Sequence, residues 1–197
     1  MLEWVTLISG LVFFLIALYG YNEKKSLEYI IWSISGLTFL IIAIALVAMG
    51  LDALSLPYTV YLGSIYPSFL ALGLLYKKEG YWKYYLYFII LMIILIAAGQ
   101  VALPQLKVGA QVALHAISGL IIVFLPIIEV LVRKEWHAYY LLFSLGGIVI
   151  GIGGLALASI VAGAPILPFE LVVMLLHPLL FISAFLIALG IYLITQL

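Results

Sequence analysis

The sequence predicts an all-α membrane protein, a bundle of seven transmembrane helices that forms a single domain over residues 1–197. Three observations lead to this prediction. Of the 197 residues, 68% are hydrophobic and 8% are charged, whereas a soluble domain has about 25% charged residues. The apolar residues fall into seven runs, each close to the roughly 20 residues that a spanning helix needs. Nearly all of the charged residues lie between these runs.

The seven predicted spans are joined by short polar connections. They cover about 4–21, 28–50, 58–76, 84–103, 111–132, 137–162 and 168–195. Near the N-terminus stand Glu3 and Trp4 in place of the basic stretch that opens a signal peptide. We therefore expect the first apolar run to be retained as a span.

The basic residues indicate the orientation of the bundle. Seven of them fall on one side of the predicted membrane: Lys24, Lys25, Lys77, Lys78, Lys83, Arg133 and Lys134. Lys107 is alone on the other side. Because Lys and Arg stay in cytoplasmic loops, the N-terminus is predicted to be outside and the C-terminus cytoplasmic, in a multi-pass protein of the cell (plasma) membrane.

Aromatic residues cluster beside the basic connections. Such residues favour the boundary between lipid and water, so we expect a belt at the inner interface. Its predicted members are Tyr19, Tyr21, Tyr29, Trp82, Tyr84, Tyr85, Trp136, Tyr139 and Tyr140.

The chain also contains an internal repeat. Residues 140–187 align with residues 29–76 without gaps, and 11 of 48 positions are identical. The informative matches are two prolines, Pro57 with Pro168 and Pro67 with Pro178, and a Ser-x-x-Gly pattern. Repeat 1 is predicted over about 4–76 and repeat 2 over about 111–195, with a linker span over about 84–103.

A single linker span makes both triplets enter the membrane from the same side, so the predicted 3+1+3 repeat is parallel, with a pseudo-two-fold axis along the membrane normal. In architecture alone, this plan is similar to that of SWEET-type sugar carriers and seven-helix opsins. The sequence departs from both groups. Span seven has no Lys for a retinal Schiff base, and no span contains an Asn suited to a sugar site.

Span six carries a row of small residues spaced three and four apart. Its members are Ser144, Gly147, Gly151, Gly154 and Ala158. This spacing places them on one face of a helix, and membrane helices associate through such faces. We expect the row to pack against a neighbouring helix, a second protomer of a homo-oligomer or another membrane subunit.

A few polar side chains within the spans are candidates for ligand binding. His177 precedes Pro178 at the position where Tyr66 precedes Pro67 in the other repeat. These pairs predict a small, outward-opening cavity between the helices. The candidate ligand-binding residues are Tyr66, Ser68, Gln100, His115 and His177.

The two histidines of this set allow other interpretations. His115 and His177 lie in the outer halves of their spans, where they could serve as axial ligands of a b-type haem. They could instead bind a transition metal or relay protons. The alternative is that each is a separate neutral histidine, hydrogen-bonded to a neighbouring group.

Glu129 is the one acidic residue well inside a span. Arg133 follows it by one helical turn, so the two are predicted to form an ion pair at the inner interface. The alternative hypothesis is that Glu129 binds a proton or a cation inside the bundle, because ionisable groups in a membrane often mark functional sites.

The composition narrows the class of function. The formal net charge is zero, so the expected partner is the lipid bilayer and no nucleic acid is expected. The chain has no Cys, no HExxH motif and no Walker motif, which favours a function without enzymatic activity. We expect it to bind or pass a small neutral or lipophilic molecule. The alternatives are a haem b- or quinone-binding subunit of a respiratory complex that uses His115 and His177, and a ligand-free structural or assembly subunit.

Overall fold

A computed structural model of the chain describes residues 2–78, 80–101, 103–161 and 166–197. It contains seven long helices: α1 (Leu2–Lys24), α2 (Leu27–Met49), α3 (Thr59–Tyr76), α4 (Tyr81–Val101), α5 (Pro104–Ile127), α6 (Leu141–Val161) and α7 (Phe169–Thr195). In the described ranges no residue belongs to a β-strand. Seven helical segments are long and apolar enough to cross a membrane. This confirms the predicted all-α class and the number of helices suited to span a bilayer.

Three short helical segments lie beside the long helices in the described part of the chain. A 3₁₀ helix, Gly50–Ser55, follows α2, and another, Ala138–Tyr140, precedes α6. A π-helical turn, Ile128–Val132, follows α5. This turn begins two residues after Pro126, whose ring removes one backbone hydrogen bond and disturbs the regular helix.

The start of α5 differs from the prediction. The connection before span five was expected to reach residue 110, but α5 begins at Pro104. Proline favours the first turn of a helix, where its missing N–H is not needed. The backbone of Lys107 in that turn packs against Gly99 of α4, and a Cβ built on Gly99 would lie 2.4 Å from the Lys107 nitrogen. Lys107 is therefore part of a helix and not of a loop.

Each helix packs against a small set of neighbours. α1 lies between α2 and α7, α3 lies between α2 and α5, and α6 lies between α5 and α7. These contacts join six helices in a ring with the order α1, α2, α3, α5, α6, α7. α4 packs against α5 and α3 from outside the ring.

Aromatic side chains occupy much of the buried core. Trp32, Phe13 and Phe143 are at most 1% exposed, and the rings of Trp32 and Phe143 are 5.1 Å apart. Large rings of this kind fill the space between helices and contribute strongly to packing. The interior of the bundle near these residues is therefore packed rather than open.

The members of the predicted aromatic belt are divided between the core and the surface. Four of its members belong to the core and are at most 8% exposed: Tyr29, Tyr85, Trp136 and Tyr140. Tyr84, in contrast, is 75% exposed, as expected of a residue at a membrane interface. Position along the chain predicts how deep an aromatic residue lies in the membrane, but it does not predict which face of the helix carries it.

Two side chains of α2 bind the backbone of α3. The Ser35 hydroxyl donates to the Tyr66 carbonyl at 2.7 Å, and the Trp32 Nε1–H donates to the Leu70 carbonyl at 3.3 Å. The two carbonyls lie one turn apart, on either side of Pro67. Interhelical hydrogen bonds of this kind stabilise membrane helix pairs by about 0.6 kcal/mol each on average, so they help to fix α2 against α3.

Candidate functional site

Tyr66, the first of the predicted cavity residues, lies in the packed core. Its side chain is 9% exposed, and its ring centroid is 5.0 Å from that of Phe39 and 6.5 Å from that of Phe13. Its hydroxyl lies close to that of the buried Ser183 in α7. The rings of α1 and α2 thus fill the space that a ligand beside Tyr66 would need.

Ser68 is fully buried in a network of hydroxyl groups that links α3, α4 and α5. Its Oγ donates to the Ser64 carbonyl at 2.6 Å and lies 3.3 Å from the Oγ of Ser118. The Ser118 hydroxyl donates to the Leu114 carbonyl at 2.5 Å and lies 2.7 Å from the hydroxyl of Tyr85.

The protons of this network can be assigned. Each serine hydroxyl has one hydrogen, and those of Ser68 and Ser118 are given to carbonyls of α3 and α5. The Tyr85 hydroxyl is then the donor of its contact with Ser118, and Ser68 is a second acceptor within its reach. The network is satisfied within the protein and holds α4 onto the ring. Sequence reasoning missed Tyr85 and Ser118, because hydroxyl groups give no periodic signal that identifies their partners.

The remaining predicted cavity residues lie on different parts of the bundle. His115 is exposed on α5, and its Nδ1 is 3.2 Å from the carbonyl of Gln111 in the same helix. His177 is half-buried, and its Nδ1 is 3.2 Å from the Thr6 hydroxyl of α1. Gln100 is exposed on α4. The structure thus gives each histidine its own hydrogen-bonding group and does not gather the five residues around one cavity.

The histidines also bear on the predicted metal or haem site. In the described part of the chain, no group of three or more His, Asp or Glu side chains is placed to hold a metal ion. Haem ligation by His115 and His177 needs only two ligands, and it stays a prediction.

An apolar hollow lies between the connection that follows α2 and the first turns of α7. Its volume is about 230 Å³, and six apolar side chains line it: Leu51, Leu54, Phe169, Val172, Val173 and Leu176. Leu51 and Leu54 come from the 3₁₀ helix after α2, which belongs to the first predicted repeat. The other four come from α7 in the second. Such a surface can hold an apolar molecule, and none of its described lining residues has a side chain suited to acid–base chemistry.

Glu129 and Arg133 lie at the opposite end of the bundle, where Lys78 joins them. Glu129 is 1% exposed, its Oε1 is 3.2 Å from Nη1 of Arg133, and its Oε2 is 2.8 Å from Nζ of Lys78. Nζ of Lys78 is also 2.8 Å from Oε2 of Glu135. The cluster therefore ties the end of α3 to the π-helical turn after α5.

The electrostatic interactions of this cluster favour the charged forms of Lys78 and Glu135. Hydrogen bonds to Glu129 and Glu135 raise the pKa of Lys78, and the hydrogen bond and charge of Lys78 lower the pKa of Glu135. The contribution of Lys78 cannot be predicted from the sequence, because Lys78 is 51 residues from Glu129 and their contact depends on how α3 and α5 pack.

The row of small residues on α6 is only partly packed in the single chain. Ser144 donates to the Val123 carbonyl of α5 at 2.7 Å, and a Cβ on Gly147 would lie 2.8 Å from Cγ2 of Ile122. A Cβ on Gly151 or Gly154 would meet nothing within 4 Å. The side chain of Ala158 lies outside the described part of the chain.

Two other glycines of α6 make the contacts with α7. A Cβ on Gly146 would lie 2.9 Å from Cγ1 of Ile187, and one on Gly153 would lie 2.9 Å from Cδ1 of Leu179. The predicted row thus contacts α5 at one end. Docking of its other end on a second protomer or another subunit stays a prediction.

No protein-family model, curated protein or solved structure matches this chain.

Proposed function

We propose that this multi-pass membrane protein binds or passes a small neutral or lipophilic molecule, without catalysing a reaction, and that the molecule occupies the apolar hollow beside α7. The observation that carries the proposal is the lining of this hollow, which consists of six apolar side chains in a volume of about 230 Å³. An apolar protein cavity of roughly 150 Å³ accepts benzene. The expected ligand is therefore a molecule somewhat larger than benzene.

The arrangement of the helices supports a 3+1+3 repeat around this site. Within the triplets, the contacts of α1 with α2 and of α2 with α3 correspond to those of α5 with α6 and of α6 with α7. A Cβ on Gly36 would meet the backbone of Phe14, and one on Gly147 would meet Val123. These residues are partners in the sequence alignment of the two repeats.

The hollow is placed to respond to movement between the triplets. Its walls come from the 3₁₀ helix of the first triplet and from α7 of the second. Rocking of one triplet against the other, as in transporters built from repeats, would change its width. The seven basic residues are at the other end of the bundle, which supports an orientation with the hollow at the outer surface, the N-terminus outside and the C-terminus in the cytoplasm.

Photolabelling tests this proposal. The protein in nanodiscs is exposed to 3-phenyl-3-(trifluoromethyl)diazirine, with and without excess propylbenzene, and the labelled residues are identified by mass spectrometry. We expect labelling of residues 51–54 or 169–176 that propylbenzene suppresses. Labelling of lipid-facing residues elsewhere should not be suppressed, because the bilayer does not saturate.

A pair of variants sharpens the test. Leu54→Trp fills the hollow and should abolish the suppressible labelling. Leu155→Trp is the control, because Leu155 is 69% exposed on α6 and does not line the hollow. The proposal would be overturned if excess propylbenzene left the labelling of residues 51–54 and 169–176 unchanged. It would also be overturned if Leu54→Trp and Leu155→Trp lost this labelling equally.

A further inference from the structure

A second hollow lies at the basic end of the bundle, between the start of α2, the end of α3 and the start of α4. Its volume is about 490 Å³. The side chains that define its chemistry are Ser26, Glu28, Tyr76, Lys77, Trp82 and Lys83. It differs from the outer hollow in being polar and in containing two cations.

The two lysines of this hollow have their charges available. Within the described residues neither forms an ion pair. The Nζ of Lys77 is 4.9 Å from the ring centroid of Tyr140, and the Nζ of Lys83 is 5.6 Å from that of Trp82. Lys78 and Arg133, at the same end of the bundle, are instead paired with carboxylates. Lys77 and Lys83 thus bring into this hollow positive charge that no ion pair among the described residues neutralises.

Among the described residues of the lining, Glu28 is the one carboxylate, and it leaves an excess of positive charge. Glu28 accepts a hydrogen bond from the hydroxyl of Ser26, and its charge offsets one of the two lysines. With Lys77 and Lys83 protonated, the described lining residues carry a net charge of about +1. This balance favours an anionic ligand, and it predicts that removal of the Glu28 charge would strengthen the binding.

The surroundings indicate that such an anion comes from a lipid. The rings of Tyr76 and Trp82 are 5.4 Å apart at the hollow, and aromatic residues of this kind sit at the level of lipid headgroups. The next turns of α4 present a lipid-accessible surface, where Tyr87 is 66% exposed and Leu91 is 51% exposed. Acyl chains could lie along this surface while the headgroup occupies the hollow.

We propose that this hollow binds the phosphate-bearing headgroup of an anionic phospholipid of the inner leaflet, with Lys77 and Lys83 as the phosphate ligands. Basic pockets between transmembrane helices on the cytoplasmic side hold anionic headgroups in this way. The proposal depends on a membrane-spanning bundle but not on the outer hollow, so either site can fail its test alone.

Native mass spectrometry of the protein, released from nanodiscs of phosphatidylglycerol and phosphatidylcholine in equal amounts, tests the proposal. We expect the wild type to retain phosphatidylglycerol preferentially. Each lysine near a membrane contributes roughly a fivefold gain in affinity for anionic lipid. The double variant Lys77→Gln with Lys83→Gln should therefore lose most of this preference, and Glu28→Gln should increase it by up to roughly fivefold.

The matched control is Lys24→Gln with Lys25→Gln, which removes two lysines from the same end but outside the hollow. Thermal unfolding of each variant in detergent verifies that it is folded. Equal retention of phosphatidylglycerol in the two double variants would overturn the site. Displacement of the lipid by millimolar inorganic phosphate would overturn its assignment to a lipid, because it would show that free phosphate occupies the hollow.

Discussion

Replacing Gly36 with Ala tests how closely α1 approaches α2. A Cβ at this position would lie 2.9 Å from Cα and 3.0 Å from the backbone nitrogen of Phe14. Ordinary contacts of a Cβ are 3.4–4 Å, so the two helix backbones would have to separate by at least about 0.5 Å. Backbone atoms cannot move aside as the end of a side chain can, and the separation would disturb the packing along α1.

The change in unfolding free energy caused by Gly36→Ala follows from two opposing contributions. Overpacking of a well-packed interior costs about 1–3 kcal/mol, whereas replacing Gly by Ala in a helix gains about 0.8–1 kcal/mol. Gly119→Ala in α5 is the control, because a Cβ there meets nothing within 4 Å and only the gain applies. The unfolding free energies of the two variants should therefore differ by about 1–3 kcal/mol, with Gly119→Ala the more stable.

Equilibrium unfolding with SDS in mixed micelles, followed by circular dichroism and tryptophan fluorescence, measures this difference. Gly147→Ala should fall between the two variants, since its Cβ would meet Cγ2 of Ile122 and Cγ2 of Val123, and these methyl groups can move aside. If all three alanine variants unfold at the same SDS fraction, the proposed close packing of α1 on α2 is refuted.

Three further predictions concern the polar contacts of the bundle. Ser118→Ala removes the acceptor 2.7 Å from the buried Tyr85 hydroxyl, so it should lower the unfolding free energy by about 1–2 kcal/mol. A double-mutant cycle with Tyr85→Phe should show that the two effects are not additive. Glu135→Gln should lower the thermal midpoint at neutral pH, and the difference from wild type should vanish as the pH falls through the lowered pKa of Glu135, because the carboxylate paired with Lys78 is then protonated. Glu129→Gln should lower the midpoint more than Glu135→Gln does, since Glu129 is 1% exposed and Glu135 is 57% exposed; equal shifts would contradict the buried ion cluster.

Hydropathy predicted the helices well because in lipid only a helix or a closed barrel satisfies the backbone. A run of about 20 apolar residues has the length of a spanning helix and is too long for a spanning strand. The start of α5 at Pro104 differs from the prediction because the first turn of this helix is less apolar than the rest. The position of single side chains was harder to predict. Tyr85 and Tyr84 are adjacent, yet Tyr85 is 6% exposed and Tyr84 is 75% exposed, because a small rotation of α4 decides which of them faces the ring.

The predicted ligand site depended on the same unknown rotations. The predicted repeat aligns Tyr66 with His177, but their surroundings differ: Tyr66 packs between Phe13 and Phe39, whereas His177 lies beside Thr6. A match in sequence therefore does not predict the neighbours of each side chain. The apolar lining of the outer hollow could not be predicted at all, because its residues resemble every other lipid-facing Leu and Val in the chain.

The two seams that would join the triplets differ in a way that bears on their proposed movement. The α3–α5 seam contains the buried pair of Lys78 and Glu129, whereas the repeat counterpart of Glu129 is Gly20, which packs against the ring of Tyr29 and the hydroxyl of Thr195. Separating α3 from α5 at the basic end would remove Lys78 from the buried Glu129 and leave only Arg133, on the same helical turn, to offset its charge, which is costly. Rocking of the triplets would therefore meet the higher resistance at this end and open the bundle at the other, where the apolar hollow lies.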